Sequence, residues 1–243
     1  MEALYDNLIE YYDEIFPVEL EQVSLIKELS KSLDYPRVLY IGSATGSFAL
    51  ALAKEGMDLT GIDQNAAMVQ SACRRNPEPR TNARFFCMSM MEIGNSFPQE
   101  SFDMVLCLAN AIVHLDGLES VSAFLRQSRS LIRPGGALLV QFINYDRILN
   151  EGMNGLPTIE TTRARFEREY RQRDDGRISF ESSLFSSSGQ LVFRERLALY
   201  PLRPLEFVEL ARSAGFSSVE LYDDFTGSPL QGKTLGVLAL AKI

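Results

Sequence analysis

The sequence predicts an α/β fold of the nucleotide-binding kind, and two stretches predict it. The first is Val38–Ile41, an apolar run with buried-strand character. It is followed by the turn Gly42-Ser43-Ala44-Thr45-Gly46 and by a helix over Ala49–Glu55 that Gly56 stops. Strand, glycine-bearing turn and helix form the opening unit of such folds. Gly42 permits the sharp turn, and Gly46 permits close approach of the backbone to a ligand. The second stretch is Asp58–Asp63, a short strand ending in an acid 21 residues after Gly42. A carboxylate that takes ribose hydroxyls is expected at an offset of ~20 residues. The alternative use of Asp63 is as N-cap of the helix beginning near Ala66.

The chain has 243 residues and a net charge of −8. That length suits one large α/β domain or one domain with an insertion. The charge argues against general nucleic-acid binding, which needs clustered positive charge. Cys73, Cys87 and Cys107 cannot all pair, and two of them lie in apolar strand-like runs, so they read as reduced core thiols. With a single histidine, no Cys/His cluster has metal-ligand spacing. No apolar run approaches the ~20 residues of a membrane span. The acidic N-terminus is unlike a signal peptide. The expectation is a cytoplasmic protein with no metal, no membrane partner and no nucleic-acid partner, its oligomeric state open.

Glycine spacing separates two kinds of cofactor. A dinucleotide fingerprint, Gly-x-Gly-x-x-Gly, would place Ala44 and Ser47 at its later sites, whereas Gly-x-Gly-x-Gly fits Gly42, Ala44 and Gly46 better. At this turn the chain resembles the class I S-adenosylmethionine-dependent methyltransferases, whose first motif is Asp/Glu-x-Gly-x-Gly-x-Gly. Tyr40 stands where that family has an acid that helps hold the cofactor's amino end, and Ala44 stands at the middle glycine. The resemblance implies a seven-stranded Rossmann-like sheet, parallel except for its last strand, and S-adenosylmethionine as cofactor. Carried onto this chain, it places the cofactor against Tyr12, Gly42, Ser43, Ala44, Gly46, Asp63, Gln64, Met68, Ser89, Met90, Leu108 and Asn110.

Taken in order, residues 1–34 read as a helical lid. Leu4, Leu8, Ile9 and Tyr12 recur at helical spacing, as do Leu20, Val23, Ile26, Leu29 and Leu33, with Pro17 between the two sets. Tyr5-Asp6 and Tyr12-Asp13-Glu14-Ile15-Phe16-Pro17 resemble the N-terminal lid of small-molecule methyltransferases, in which aromatics close over the cofactor. Packing of an amphipathic helix is the other reading of Tyr5 and Tyr12.

Residues 35–146 form the cofactor-binding core. Asn76-Pro77-Glu78-Pro79 ends its second helix. Ala83–Met88 is the third strand, and Ser89-Met90 follows where the family has an Asp-containing pair on adenine. Ser101–Asn110 is the fourth strand and its exit, opening on the family's Phe-Asp-x-Val pattern. His114 supports two readings, a general base or a structural residue leading into the next helix. An amphipathic helix spans Leu118–Ile132. Arg133-Pro134-Gly135-Gly136 ends it and turns into a fifth strand, Ala137–Phe142. Leu-x-x-Pro-Gly-Gly before an apolar strand is methyltransferase-like and unlike a dehydrogenase.

A narrower resemblance follows. Asn144-Tyr145-Asp146-Arg147-Ile148-Leu149 is similar to a run in the glycine and glycine/sarcosine N-methyltransferases. So are Leu108-Ala109-Asn110 with His114-Leu115, Tyr200-Pro201-Leu202-Arg203, Gly215-Phe216 and Tyr222-Asp223-Asp224-Phe225. Residues 150–200 carry Arg163, Arg165, Arg168, Arg171, Arg173 and Arg177, with turn sequences at Asp174–Arg177 and Ser187–Gln190. They read as a cap insertion of three antiparallel strands, its arginines either a solvated face or a source of anion binding. Residues 201–243 hold a helix over Leu205–Ala214 and strands over Ser218–Tyr222 and Thr234–Ala241.

The implied reaction is methyl transfer to a small-molecule acceptor, an amine bearing a carboxylate. Asn110, Tyr145 and His114 stand as candidates at the reacting centre, Asn144 beside them, and Arg147, Arg163 or Arg203 at the carboxylate. Positioning alone contributes ~7–11 kcal/mol to such reactions, so a dedicated base is optional. Two rival readings are a Rossmann-type oxidoreductase and a cofactor-binding protein of this fold without catalysis.

Overall fold

The computed structural model describes residues 8–76 and 82–243. Leu4, Tyr5 and Pro77–Pro79 lie outside the described residues. A short helix α1 (Tyr12–Ile15) and the helix α2 (Leu20–Ser30) lead into β1 (Arg37–Ile41), α3 (Ser47–Lys54), β2 (Asp58–Asp63) and α4 (Ala66–Arg75). There follow β3 (Ala83–Cys87), α5 (Ile93–Ser96), β4 (Phe102–Cys107), a 3-10 turn over Ala111–His114, α6 (Leu118–Leu131), β5 (Ile132–Ile143) and α7 (Tyr145–Asn150). The cap comprises β6 (Gly155–Glu160), β7 (Ala164–Gln172), β8 (Ile178–Ser186) and β9 (Leu191–Leu199). The chain ends with α8 (Pro204–Ser213), β10 (Ser218–Tyr222) and β11 (Gly236–Lys242).

Seven strands form one sheet in the order β10-β11-β5-β4-β1-β2-β3. Only β11 runs antiparallel to its neighbours, pairing that way with both β5 and β10. The central strands are buried on both faces, as a parallel sheet covered by helices requires. In β1, Leu39 and Ile41 join the apolar layer under α6 and α8, while Val38 and Tyr40 join the opposite layer with Ile26 of α2 and Phe48 of α3.

The structure corrects several expectations. The cap has four strands in the order β6-β7-β8-β9, not three, because Leu156-Pro157 lies within an edge strand, where a proline's missing N–H costs no ladder bond. The fifth strand begins earlier, at Ile132, and Arg133–Gly136 bulges out of it, since the register jumps from Phe102↔Ile132 to Met104↔Ala137. A Cβ on Gly136 would lie 2.4 Å from the Asp103 carbonyl, which is why glycine sits there. Helix α2 belongs to the core through Ile26, leaving Leu20 and Leu33 exposed. Cys107 is a core thiol, but Cys87 and Cys73 are exposed, because β3 is an edge strand and α4 turns Cys73 outward. No helix among the described residues is long and apolar enough to cross a membrane.

Candidate active site

A cavity of about 470 Å³ opens at the carboxyl ends of β1, β2, β4 and β5. Strand order reverses between β1 and β4, and ligands of open α/β sheets bind at such a point. The segment Leu8–Glu19 and the inner face of the cap close its other sides.

At the sheet end, Gly42 turns the chain in the left-handed region with φ +70°, and a Cβ there would come within 3.0 Å of the Ala111 Cβ. Ala44 follows at φ +46°, left-handed without being glycine. That conformation aims its backbone N–H at Asp63, whose Oδ2 accepts it at 2.9 Å while Oδ1 accepts the Asn65 N–H at 2.9 Å. Asp63 is thereby fixed at the cavity wall, and each oxygen keeps a lone pair for a ligand hydroxyl. Burial raises its carboxyl above the ordinary range, partly opposed by the two backbone N–H groups. The N-cap alternative falls to Asn65, whose side chain accepts the Met68 N–H.

Ser43, Gln64, Met68, Met90, Leu108 and Asn110 also line the cavity. The Ser43 hydroxyl is buried with no partner, a polar atom left over for a ligand. Gly46 and Ser89 are not among the lining residues. A Cβ on Gly46 would lie 2.7 Å from Ala72 Cβ and 2.9 Å from Phe85 Cζ, so this glycine serves helix-to-strand packing rather than ligand approach. Ser89 is spent on its own turn, its hydroxyl accepting the Met91 N–H. Tyr40 lines the cavity with its ring edge against Phe48, 5.6 Å between centroids, and burial raises its phenol far above the usual range. It therefore offers a neutral hydroxyl where the family's motif has an anion.

Toward the cap, Asn110 adopts φ +65°, which asparagine tolerates, and its Oδ1 accepts the Ile143 N–H at 2.9 Å. His114 lines the cavity, its imidazole pulled down to about 4 by burial, so it is neutral at neutral pH and a weak base. Two expected residues are not at the surface of the cavity. Tyr145 is fully buried behind Tyr170, 6.1 Å between ring centroids, because α7 folds back under the cap. Asn144 is the N-cap of that helix, its side chain accepting the Arg147 N–H. Tyr170 takes the lining position, with its phenol pushed up to about 12 by burial.

None of the three expected arginines lines the cavity. Arg147 pairs with Glu151 at 3.0 Å, Arg203 with Asp146 at 3.3 Å, and Arg163 with Glu10 and Glu14 at 3.2 and 2.9 Å. The arginine that does line it is Arg168. Side chains alternate along a strand, and Arg168 is the only arginine of this stretch in phase with Ala164, Phe166 and Tyr170 on the inner face of β7. Its Nη2 donates to the Pro157 carbonyl at 2.7 Å, and its buried Nε has no partner. Across the ladder on β8 stands Ser182, fully buried, its hydroxyl also without a partner.

The N-terminal segment is tied to both halves. Tyr12 and Asp13 line the cavity. Asp13 Oδ1 accepts the Thr45 hydroxyl at 2.6 Å and the Ser47 hydroxyl at 2.9 Å, and its other oxygen pairs with Arg75. Leu8 and Ile15 pack into a separate apolar cluster with Phe166, Leu184 and Phe193 of the cap. The sequence alone does not show Asp13, Thr45, Ser47 and Arg75 as a cluster, because their joining depends on contacts across 28 to 62 residues.

Comparison with known proteins agrees with this geometry. A model of a methyltransferase domain matches residues 38–136. The glycine/sarcosine N-methyltransferase of Aphanothece halophytica is 27% identical over 224 residues, 90% of this chain and 82% of that protein. In structure, an S-adenosylmethionine-dependent methyltransferase from Clostridium acetobutylicum matches with a TM-score of 0.82, covering 99% of both chains at 14% identity. The CcbJ methyltransferase from Streptomyces caelestis matches with a TM-score of 0.81, covering 98% of this chain and 97% of that one at 19% identity. The fold is thus that of the class I methyltransferases. Domain, relatives and fold together support an S-adenosylmethionine-dependent methyltransferase of this class. The oxidoreductase alternative receives no support.

Proposed function

We propose that the enzyme methylates the nitrogen of a small-molecule amine that also carries a carboxylate. The observation that carries this reading is the polarity of one continuous cavity. Asp63 and the orphaned Ser43 hydroxyl stand at its sheet end, and Arg168 is the only Lys or Arg side chain among its described lining residues. The names of the glycine/sarcosine relatives support the same substrate class.

S-Adenosylmethionine, when bound, would supply an electrophilic sulfonium methyl for the amine lone pair, the S–C bonding pair returning to sulfur and the proton of the new ammonium passing to solvent. Asp63 would hold the ribose hydroxyls, and the Gly42–Ala44 turn with Ser43 the amino-acid end. Gln64, Met68 and Met90 would surround the base. Arg168 would hold the acceptor carboxylate, replacing Arg147, Arg163 and Arg203 in that role. Asn110 would orient the acceptor through its amide N–H groups, its oxygen being committed to Ile143. Tyr145 would act behind Tyr170 as a positioning residue. The net charge of −8 supports a small acceptor over nucleic acid, and we retain the cytoplasm as its compartment.

The test is transfer of a labelled methyl group into amines with and without a carboxylate, read by mass spectrometry. Transfer to the amine carboxylates and not to the decarboxylated analogues is expected. Equal transfer to both would remove the carboxylate from the reading, and cofactor binding without any transfer would favour a non-catalytic role.

A further inference from the structure

The walls around Arg168 do not fit a small polar acceptor. Leu156 and Ile159 come from β6, Phe166 from β7, Phe180 from β8 and Leu199 from β9, and Phe16 closes the same side from the N-terminal segment. Apart from Arg168, Tyr170 is the one polar side chain that these four strands add to the lining. Phe166 and Leu199 belong to buried apolar clusters, so these surfaces are set by the fold and not by mobile rims. Across from Arg168, Ser182 keeps its hydroxyl unpaired in the same layer. The cap end therefore combines one anion-binding point with a wide apolar and aromatic surround.

Glycine and sarcosine have almost no apolar surface to set against such walls. Filling the space beside them with water would leave that water short of polar partners, since an ordered water needs two to four. An acceptor with a branched aliphatic or aromatic body would cover the walls while its carboxylate meets Arg168. We infer that the acceptor is a bulky apolar amine carboxylate, an amino acid with a branched or aromatic side chain or a compound of that chemistry, and that Leu156, Ile159, Phe166, Phe180 and Leu199 set this preference. The inference rests on the amine-carboxylate reading of the site.

Its test is kcat/KM for leucine and phenylalanine against glycine and sarcosine, paired with calorimetric binding of the same four compounds to enzyme saturated with the demethylated cofactor. One methylene in an apolar pocket is worth ~10–200-fold in discrimination, so leucine or phenylalanine should be preferred at least tenfold. Ile159→Trp places bulk in the pocket from a half-buried position on the edge strand. It should cut kcat/KM for the bulky acceptors at least tenfold and leave binding of the demethylated cofactor intact, which also shows the variant folded. Equal or better use of glycine or sarcosine would overturn the inference and leave the amine-carboxylate reading standing. Binding of leucine or phenylalanine without methylation would keep the pocket assignment and sink the reaction. Neither binding nor methylation of any of the four would overturn both.

Discussion

The two ends of the cavity are built differently. At the sheet end the polar wall residues stand at strand exits and are fixed by backbone groups of the adjoining turns. Asp63 is clamped by the N–H groups of Ala44 and Asn65, and Gly42 turns directly out of β1. At the cap end the walls come from the N-terminal segment and four cap strands, joined through Leu8, Ile15, Phe166 and Phe193. The polar ties there are Arg163 with Glu10 and Glu14, at the surface, where such pairs contribute ~0–1 kcal/mol. The difference teaches that the sheet end of the cavity is written into local backbone, whereas the cap end depends on a nonlocal apolar seam.

The largest expected effect lies at the sheet end. Asp63→Ala removes two hydrogen bonds from ribose to a charged acceptor, each worth ~1.5–3 kcal/mol. Cofactor affinity should fall at least tenfold with the fold intact, and calorimetry that found no loss would erase the ribose assignment. Because burial raises this carboxyl, protonation sets in at higher pH than for an ordinary aspartate near ~3.9. Affinity should therefore decline on acidification starting above that range, and the step should vanish in Asp63→Asn.

Arg168→Met should act on the other end alone. It deletes a charged hydrogen-bonding partner worth ~1.5–3 kcal/mol, so the acceptor KM should rise tenfold or more while affinity for the demethylated cofactor holds. A variant that lost both equally would show Arg168 to be a structural strut for β6 and β7, and would dissolve the contrast between the two ends.

The tie of the N-terminal segment to the sheet end is probed by Asp13→Asn, which weakens the contacts to Arg75 and to the Thr45 and Ser47 hydroxyls. The two paired side chains are themselves 39% and 31% exposed, so a few-fold effect is expected. Proteolysis within residues 8–19 should quicken a few-fold, and saturating cofactor should slow it in the parent enzyme. Cleavage indifferent to cofactor would make the segment packed structure and not a lid.

What could be read from sequence follows the same division. Gly42, Ala44 and Asp63 were legible because turn chemistry and strand-end position are local. Asn144 and Tyr145 misled because a motif gives order along the chain but not depth, and α7 turns both inward. A glycine at position 46 suggests ligand approach in the sequence, yet its missing Cβ makes room for Ala72 and Phe85, which are distant along the chain. Arg168 was present in the pattern, the one arginine in register with Ala164, Phe166 and Tyr170. Its charge count hid what its phase revealed.

The smallest effect tests whether the departure from glycine at position 44 is strained. Ala44 sits at φ +46°, where a Cβ meets the following carbonyl at a cost of ~1–2 kcal/mol relative to glycine. Glycine would relieve that strain but widen the unfolded ensemble, a loss of ~0.4–1 kcal/mol. The two terms oppose, so Ala44→Gly should stabilise the cofactor-free enzyme by no more than ~1.6 kcal/mol, a rise in Tm of at most ~3–6 °C for a domain of this size. Cofactor affinity should barely move, because the backbone N–H that holds Asp63 is kept. A fall in Tm would mean that the alanine methyl packs usefully against its neighbours. A marked fall in affinity would mean that this methyl preorganises the turn, making the sheet end less purely a matter of backbone than its hydrogen bonds suggest.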